Sequence, residues 1–155
     1  MTPSFRFEAV TEADFEALLA LRISTLRESL ERLGRFDPVR ARERFRGSFR
    51  PQHTRRIRVE GASAGCVATW PEGSGVRLEH FYIAAAFQRL GLGSAVVKAL
   101  LDEPAHAGLP FLVAALRASD ANRFYLRHGF VVQAETEWDV AYVRAPDAPA
   151  HHHPP

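Results

Sequence analysis

The residues Gln88-Arg89-Leu90-Gly91-Leu92-Gly93-Ser94 carry the clearest chemical potential in this 155-residue chain. Before them runs Leu78-Glu79-His80-Phe81-Tyr82-Ile83, apolar and aromatic enough to read as a β-strand. After them Leu92, Val96 and Leu100 share a helical face with Val97 and Leu101. A strand entering a glycine-rich turn at a helix start is a device for holding anions. Glycines let backbone N–H groups converge without Cβ obstruction, and the unpaired amides of the first helical turn carry partial positive charge. Phosphate is the usual guest. The turn is not a P-loop, because no Gly-Lys-Ser/Thr follows. Nor is it a dinucleotide fingerprint, which needs a third glycine where Val96 stands.

The surrounding elements can be read from periodicity. Residues 4–10 alternate as a first strand, and Thr11-Glu12-Ala13-Asp14 has the layout of a capping box. A helical stripe runs from Phe15 through Leu18, Leu19, Ile23, Leu26, Leu30 and Leu33, with Gly34 suited to its C-terminus. Asp37-Pro38 restarts a helix that should end before Pro51. Arg55 to Glu60 reads as a strand, Gly61-Ala62-Ser63-Ala64-Gly65 as a hairpin turn and Cys66 to Trp70 as its return. Glu72 to Gly75 is a further turn feeding the strand that ends at Ile83. A helix over 92–103, a buried strand from Phe111 to Leu116, and a short helix from Asp120 to His128 follow. Phe130–Ala134 and Glu137–Val143 form a last hairpin.

The totals suit one domain, placed over residues 1–144, with the Pro- and Ala-rich residues 145–155 as a disordered tail. Apolar residues make up 46% and charged residues 25%, the ordinary balance of a globular protein. No apolar run approaches a membrane span, and the N-terminus lacks a signal-peptide layout. One cysteine, Cys66, excludes an internal disulfide framework and fits a reducing cytoplasm.

The pattern Gln88-Arg89-x-Gly91-x-Gly93 resembles the acyl-CoA pyrophosphate loop of the GNAT superfamily of N-acetyltransferases. A second segment, Asn122-Arg123-Phe124-Tyr125-Leu126-Arg127-His128-Gly129-Phe130, looks like that family's Tyr-x-x-x-Gly-Phe stretch. The element order β-α-α-β-β-β-α-β-α-β-β is also that of the GNAT fold. The resemblance implies an α/β (α+β) architecture: a single mixed, mostly antiparallel sheet with helices on both faces. It further implies acetyl-CoA-dependent N-acetylation of a primary amine on a small molecule or peptide, by direct transfer in a ternary complex. Many relatives dimerise, which leaves a homodimer open.

Such a transfer makes three physical demands: a held thioester, a neutral amine, and a stabilised thiolate. In the family the pantetheine arm bonds the strand equivalent to 78–83 like an added strand. By resemblance Phe81 and Ile83 would supply those contacts, and residues 88–94 (Gln88, Arg89, Leu90, Gly91, Leu92, Gly93, Ser94) would bind the pyrophosphate. Tyr125 stands where the family places a tyrosine facing the CoA sulfur, so its phenol would protonate the leaving thiolate. Leu78–Ile83 resembles the Leu-Glu-Asp-Ile-Tyr-Val run of polyamine-type members, which makes Glu79 the base that deprotonates the acceptor. Burial on the strand would raise its pKa. His80 replaces the aspartate of that run, removing a negative charge; it could itself be the base, as could water, but strand alternation sets it on the face opposite Glu79. Asn122 is a candidate cofactor contact, with Ser119 and Asp120 equally suited to capping a helix.

Other features carry less. Cys66 lies in an apolar run, where a thiol is usually buried and inert, which argues against an acetyl-enzyme. The arginines of residues 40–58 invite a nucleic-acid partner, but Glu43 interrupts them and no reading motif accompanies them, so a solvated face is favoured. Glu28, Glu31 and Asp37 are acids that could bind the acceptor. His151-His152-His153 is too short for a metal site, and no metal is expected. The alternative function is a non-catalytic acyl-CoA-binding or regulatory module.

Overall fold

Local signals start each helix in the computed structural model, which describes residues 2–147. Thr11 accepts a hydrogen bond from the Ala13 amide through its hydroxyl, and its own amide donates to Asp14 Oδ2 at 2.9 Å. That box opens a single 3₁₀ turn leading into α1 (Phe15–Arg32). Asp37 caps α2 (Pro38–Ser48), accepting from the amides of Val39 and Arg40 at 3.0 and 3.3 Å. Pro38 sits at the first turn, where no amide is missed. The other helices are α3 (Leu92–Leu101) and α4 (Ala121–Arg127).

The strands are β1 (Arg6–Ala9), β2 (Thr54–Val59), β3 (Ala62–Glu72), β4 (Gly75–Ile83), β5 (Phe111–Leu116), β6 (Val131–Glu135) and β7 (Asp139–Arg144). They form one sheet in the order β1-β2-β3-β4-β5-β7-β6, antiparallel except between β4 and β5. Each face is covered by its own apolar cluster. On one, Leu92, Val96 and Leu100 of α3 and Tyr125 of α4 pack on Val76, Leu78 and Val113. On the other, Phe15, Leu18 and Leu19 of α1 and Phe45 of α2 pack with Phe49 and Cys66. The mixed, mostly antiparallel sheet with helices on both faces is the architecture expected from the sequence. No helix among the described residues is long and apolar enough to cross a membrane.

One turn differs from the sequence reading. The β2–β3 hairpin turns at Glu60 and Gly61, with φ of +49° and +82°, and residues 62–65 belong to β3. Two central residues with positive φ match the right-handed twist of a hairpin. Ala62-Ser63-Ala64-Gly65 looks like a turn because its residues are small, but their size has another cause. A Cβ at Gly65 would lie 2.2 Å from the Tyr82 carbonyl, so the β4 backbone itself demands glycine there. Of the expected tail, residues 148–155, with the three histidines, lie outside the described residues.

Candidate functional site

The sheet opens between β4 and β5. Their parallel ladder joins only Val76 to Phe111 and Arg77 to Leu112, although both strands run on. The strands then part, leaving a cleft of about 980 Å³ bordered by residues 78–83 of β4 and 113–116 of β5. The turn before α3, the start of α4, and the inner sides of α1 and α2 complete its walls.

A bulge in β4 arranges the side chains at this opening. Cys66 pairs with Tyr82 and Ala68 with Glu79, so His80 and Phe81 together oppose Val67. His80 accordingly takes φ +49°, a left-handed conformation that costs about 1 kcal/mol for a residue with a Cβ. The extra residue breaks alternation, which overturns the expectation that His80 faces away from Glu79. Glu79, next to Leu78 of the α3-side cluster, faces α1, and the His80 ring packs edge-on against Phe45 of α2 with centroids 4.9 Å apart.

His80 is buried and committed at both nitrogens. Nε2 stands 3.2 Å from the Ser48 carbonyl and Nδ1 3.4 Å from the Tyr82 hydroxyl. Because a carbonyl can only accept, the proton is assigned to Nε2, and Nδ1 accepts from Tyr82. The Tyr82 oxygen in turn accepts from Arg22 Nε at 3.2 Å. Burial pushes the imidazole pKa down to about 4, consistent with a neutral ring that leaves no lone pair for an acceptor.

Glu79 and Tyr125 both border the cleft. Burial raises the Glu79 carboxyl above its ordinary pKa, against the opposing pull of Arg77 and Arg22. Tyr125 is 5% exposed, its ring boxed by Phe124, Phe130 and Tyr142 at centroid distances of 5.4, 5.3 and 6.0 Å. Its hydroxyl makes no hydrogen bond among the described residues, and none of their buried side-chain nitrogens or oxygens lacks a partner. The hydroxyl therefore opens onto the cleft. Burial, with Tyr82 and Glu79 nearby, holds its pKa above the ordinary phenol value.

The glycine turn supplies backbone donors. Arg89 and Gly91 adopt φ of +63° and +79°, and no side chain caps α3. Its first helical hydrogen bond runs from the Ala95 amide to the Gly91 carbonyl at 3.1 Å, leaving the amides of Leu92, Gly93 and Ser94 without helical partners. A Cβ on Gly93 would meet the Phe124 ring at 3.3 Å, so this glycine also lets α3 approach α4. Gln88 donates from Nε2 to the Ile83 carbonyl at 2.8 Å, which already satisfies one acceptor of β4. Ser94 Oγ lies 2.9 Å from His128 Nε2.

Two residues expected to contact the cofactor do not border the cleft with their side chains. Leu90 is 46% exposed, which leaves only its backbone for the glycine turn. Asn122 uses its amide nitrogen on the carbonyls of Leu116 and Ser119, at 2.8 and 2.9 Å, and its oxygen accepts from the Tyr142 hydroxyl at 2.7 Å. It fastens the β5–α4 loop to β7. The acids proposed for the acceptor are also engaged: Glu28 with Arg32, Glu31 with Arg27, and Asp37 with the α2 amides. Cys66 is fully buried, donates to the His80 carbonyl at 3.2 Å, and has its pKa pushed up to about 12 by burial. Such a thiol is no nucleophile at neutral pH.

Charge is distributed unevenly. Arg22, Arg35, Arg40, Arg44, Arg89, Arg123 and Arg127 all border the cleft, and none has a carboxylate within ion-pair distance among the described residues. Of the ion-paired arginines only Arg32 borders it. Sequence reasoning missed Arg22. The available signal was its place four residues after Leu18, on the inward stripe of α1.

Comparison with known proteins fits this geometry. The sequence model of the acetyltransferase (GNAT) domain matches residues 53–132, just over half of the chain. No curated protein matches the sequence. The fold is shared with the PaiA N-acetyltransferase from Thermoplasma acidophilum, solved with coenzyme A (11% identity, TM-score 0.70, 92% of this chain and 99% of that one). It is shared with Ard1 from Thermoplasma volcanium (19% identity, TM-score 0.66, 96% and 100%). It is also shared with N-acetylglutamate synthase from Neisseria gonorrhoeae, complexed with coenzyme A and L-arginine (14% identity, TM-score 0.66, 96% and 34%). Acetyl-CoA is the acyl donor of the GNAT family. Because the family match runs from the entry to β2 into β6, across the parted strands, the glycine turn and Tyr125, the chain belongs to the GNAT family of acetyltransferases.

Proposed function

We propose that residues 1–144 form an acetyl-CoA-dependent N-acetyltransferase that acylates a primary amine directly, in a ternary complex. The observation that carries this reading is that Glu79 and Tyr125 border one cleft where β4 has lost its partner strand. The residues present suit the donor. Three unpaired amides and Arg89 stand at the turn for a pyrophosphate, Arg123 and Arg127 add charge beside it, and the free edge of β4 suits an amide-bearing arm.

Bound acetyl-CoA supplies an activated acetyl thioester whose thiol, with a pKa of about 8.5, is a fair leaving group. Glu79 takes a proton from the acceptor ammonium, whose pKa of roughly 10 keeps it charged at neutral pH. Its raised pKa makes it a stronger base than an ordinary carboxylate. The nitrogen lone pair then forms the C–N bond as the C–S bond breaks. Tyr125 holds a proton at its hydroxyl across the working pH range and delivers it to the departing sulfur. Of the two protons the ammonium loses, one passes through Glu79 to solvent and the other replaces, through the cleft, the proton given by Tyr125. The inertness of Cys66 supports direct transfer over an acetyl-enzyme.

Isothermal titration with acetyl-CoA, with NADH and ATP as controls, tests the reading. Selective micromolar binding, lost in Gly91→Val where φ is +79°, is the expected result. No binding overturns it. Binding without turnover of any amine points to a non-catalytic acyl-CoA-binding module instead.

A further inference from the structure

Arg22 has no role in the chemistry above, yet it borders the cleft with its guanidinium anchored at Nε. It projects from the inward face of α1, half-buried, and donates through Nε to the Tyr82 hydroxyl. Tyr82 donates to His80 Nδ1, and His80 donates from Nε2 to the Ser48 carbonyl. This chain crosses from α1 through β4 to the end of α2 and fixes the guanidinium plane. It occupies only Nε. Nη1 and Nη2 have no hydrogen-bond or ion-pair partner among the described residues, although Arg22 borders the cleft. A guanidinium held by one edge with its two-pronged end open is prepared for a planar anion.

We infer that the acceptor is an amine that also carries a carboxylate, and that Arg22 receives this carboxylate on Nη1 and Nη2. The inference rests on the acetyl-transfer reading and deepens it. Arg22 and Glu79 border the same cleft and form no ion pair with each other, so the two can address two groups of one small molecule. Glu79 takes the ammonium proton; Arg22 binds the carboxylate. Arg40 and Arg44 of α2, exposed and without ion pairs, reinforce positive potential on this side, away from the turn before α3. A half-buried cation without an anion is costly, and a carboxylate removes that cost. A polyamine offers Arg22 no anion to receive.

The experiment compares matched pairs: ornithine with putrescine, tyrosine with tyramine, glycine with glycinamide. Binding to the CoA-saturated protein and acetylation rates are measured for each, with 2-aminoethyl phosphate as a phosphate arm. The carboxylate-bearing member should be favoured at least tenfold in Kd or kcat/KM. Arg22→Gln should bring that preference near unity with acetyl-CoA affinity unchanged, and Arg22→Lys should keep part of it. A thermal melt checks that each variant is folded. Equal use of both members, binding of none, or tighter binding of the phosphate overturns the inference. Wild-type protein that binds acetyl-CoA without carboxylate preference overturns this inference alone. Protein that fails to bind acetyl-CoA overturns the acetyl-transfer reading as well.

Discussion

His80 Nε2 stands 3.2 Å from the Ser48 carbonyl, a contact that requires a proton on that nitrogen, while burial keeps the ring as a whole neutral. With a native pKa of about 4, against about 6.5 when unfolded, the unfolded chain binds the extra proton between those values. Stability therefore falls as pH drops from 6.5 toward 4, by on the order of 3 kcal/mol from this residue, and does not fall further on its account. His80→Asn, which tolerates the positive φ, should lower stability at pH 7 but flatten the curve in that window. Urea unfolding at a series of pH values measures it. An unaltered slope in the variant would place the acid sensitivity elsewhere.

Tyr125→Phe removes a hydroxyl that bonds none of the described residues while leaving the ring among Phe124, Phe130 and Tyr142. The stability change should stay within about 0.5 kcal/mol. If the phenol is the proton donor, kcat should drop about a hundredfold or more with acetyl-CoA affinity intact. Calorimetry and steady-state kinetics on the same preparation separate the two effects. Undiminished kcat removes Tyr125 from the chemistry.

Glu79 combines a raised pKa with the proposed work of a base, and the two make opposite predictions for stability and rate. A group protonated more readily in the folded state gives stability that is present at low pH and lost as pH rises through its native pKa. At neutral pH its buried charge is a burden, so Glu79→Gln should raise Tm. The same change should cut kcat/KM about a hundredfold and remove the rise of activity with pH that follows deprotonation of Glu79. A variant that is more stable yet keeps the wild-type pH profile would assign the proton to water.

Much of this arrangement was legible in the sequence because local physics wrote it there. Asp37-Pro38, Thr11 with Asp14, and Gly34 mark helix ends by hydrogen-bonding chemistry that involves only near neighbours. The glycine turn is visible because positive φ, as at Gly91, favours a residue without a Cβ. The bulge at His80 was not legible, since nothing in Leu78–Ile83 says that Val67 will oppose two residues. Arg22 was missed for the same reason: its partner Tyr82 lies 60 positions away, and only folding brings them together. The charge of the acceptor side was likewise hidden, because ion pairing decides which arginines remain available. Glu28 and Glu31 read as available acids in the sequence and prove to be paired with Arg32 and Arg27.

Asn122 shows how a motif position can be fixed by architecture. Its neighbourhood in the sequence suggested a cofactor contact, but its amide bridges Leu116, Ser119 and Tyr142, closing the loop that carries α4. Tyr125 rides on that short helix, so the asparagine governs where the phenol stands. Asn122→Ala takes one donor from each of two carbonyls, which keep their other donors, and leaves the buried Tyr142 hydroxyl without its acceptor, which should cost about 1–3 kcal/mol. Because the side chain does not border the cleft, acetyl-CoA affinity should change less than threefold while kcat falls through misplacement of Tyr125. Tyr142→Phe, which breaks only one of these bonds, should give a smaller loss in the same direction. Denaturant unfolding and calorimetric titration of both variants decide the matter: tens-fold weaker binding of acetyl-CoA with unchanged stability would return Asn122 to the cofactor.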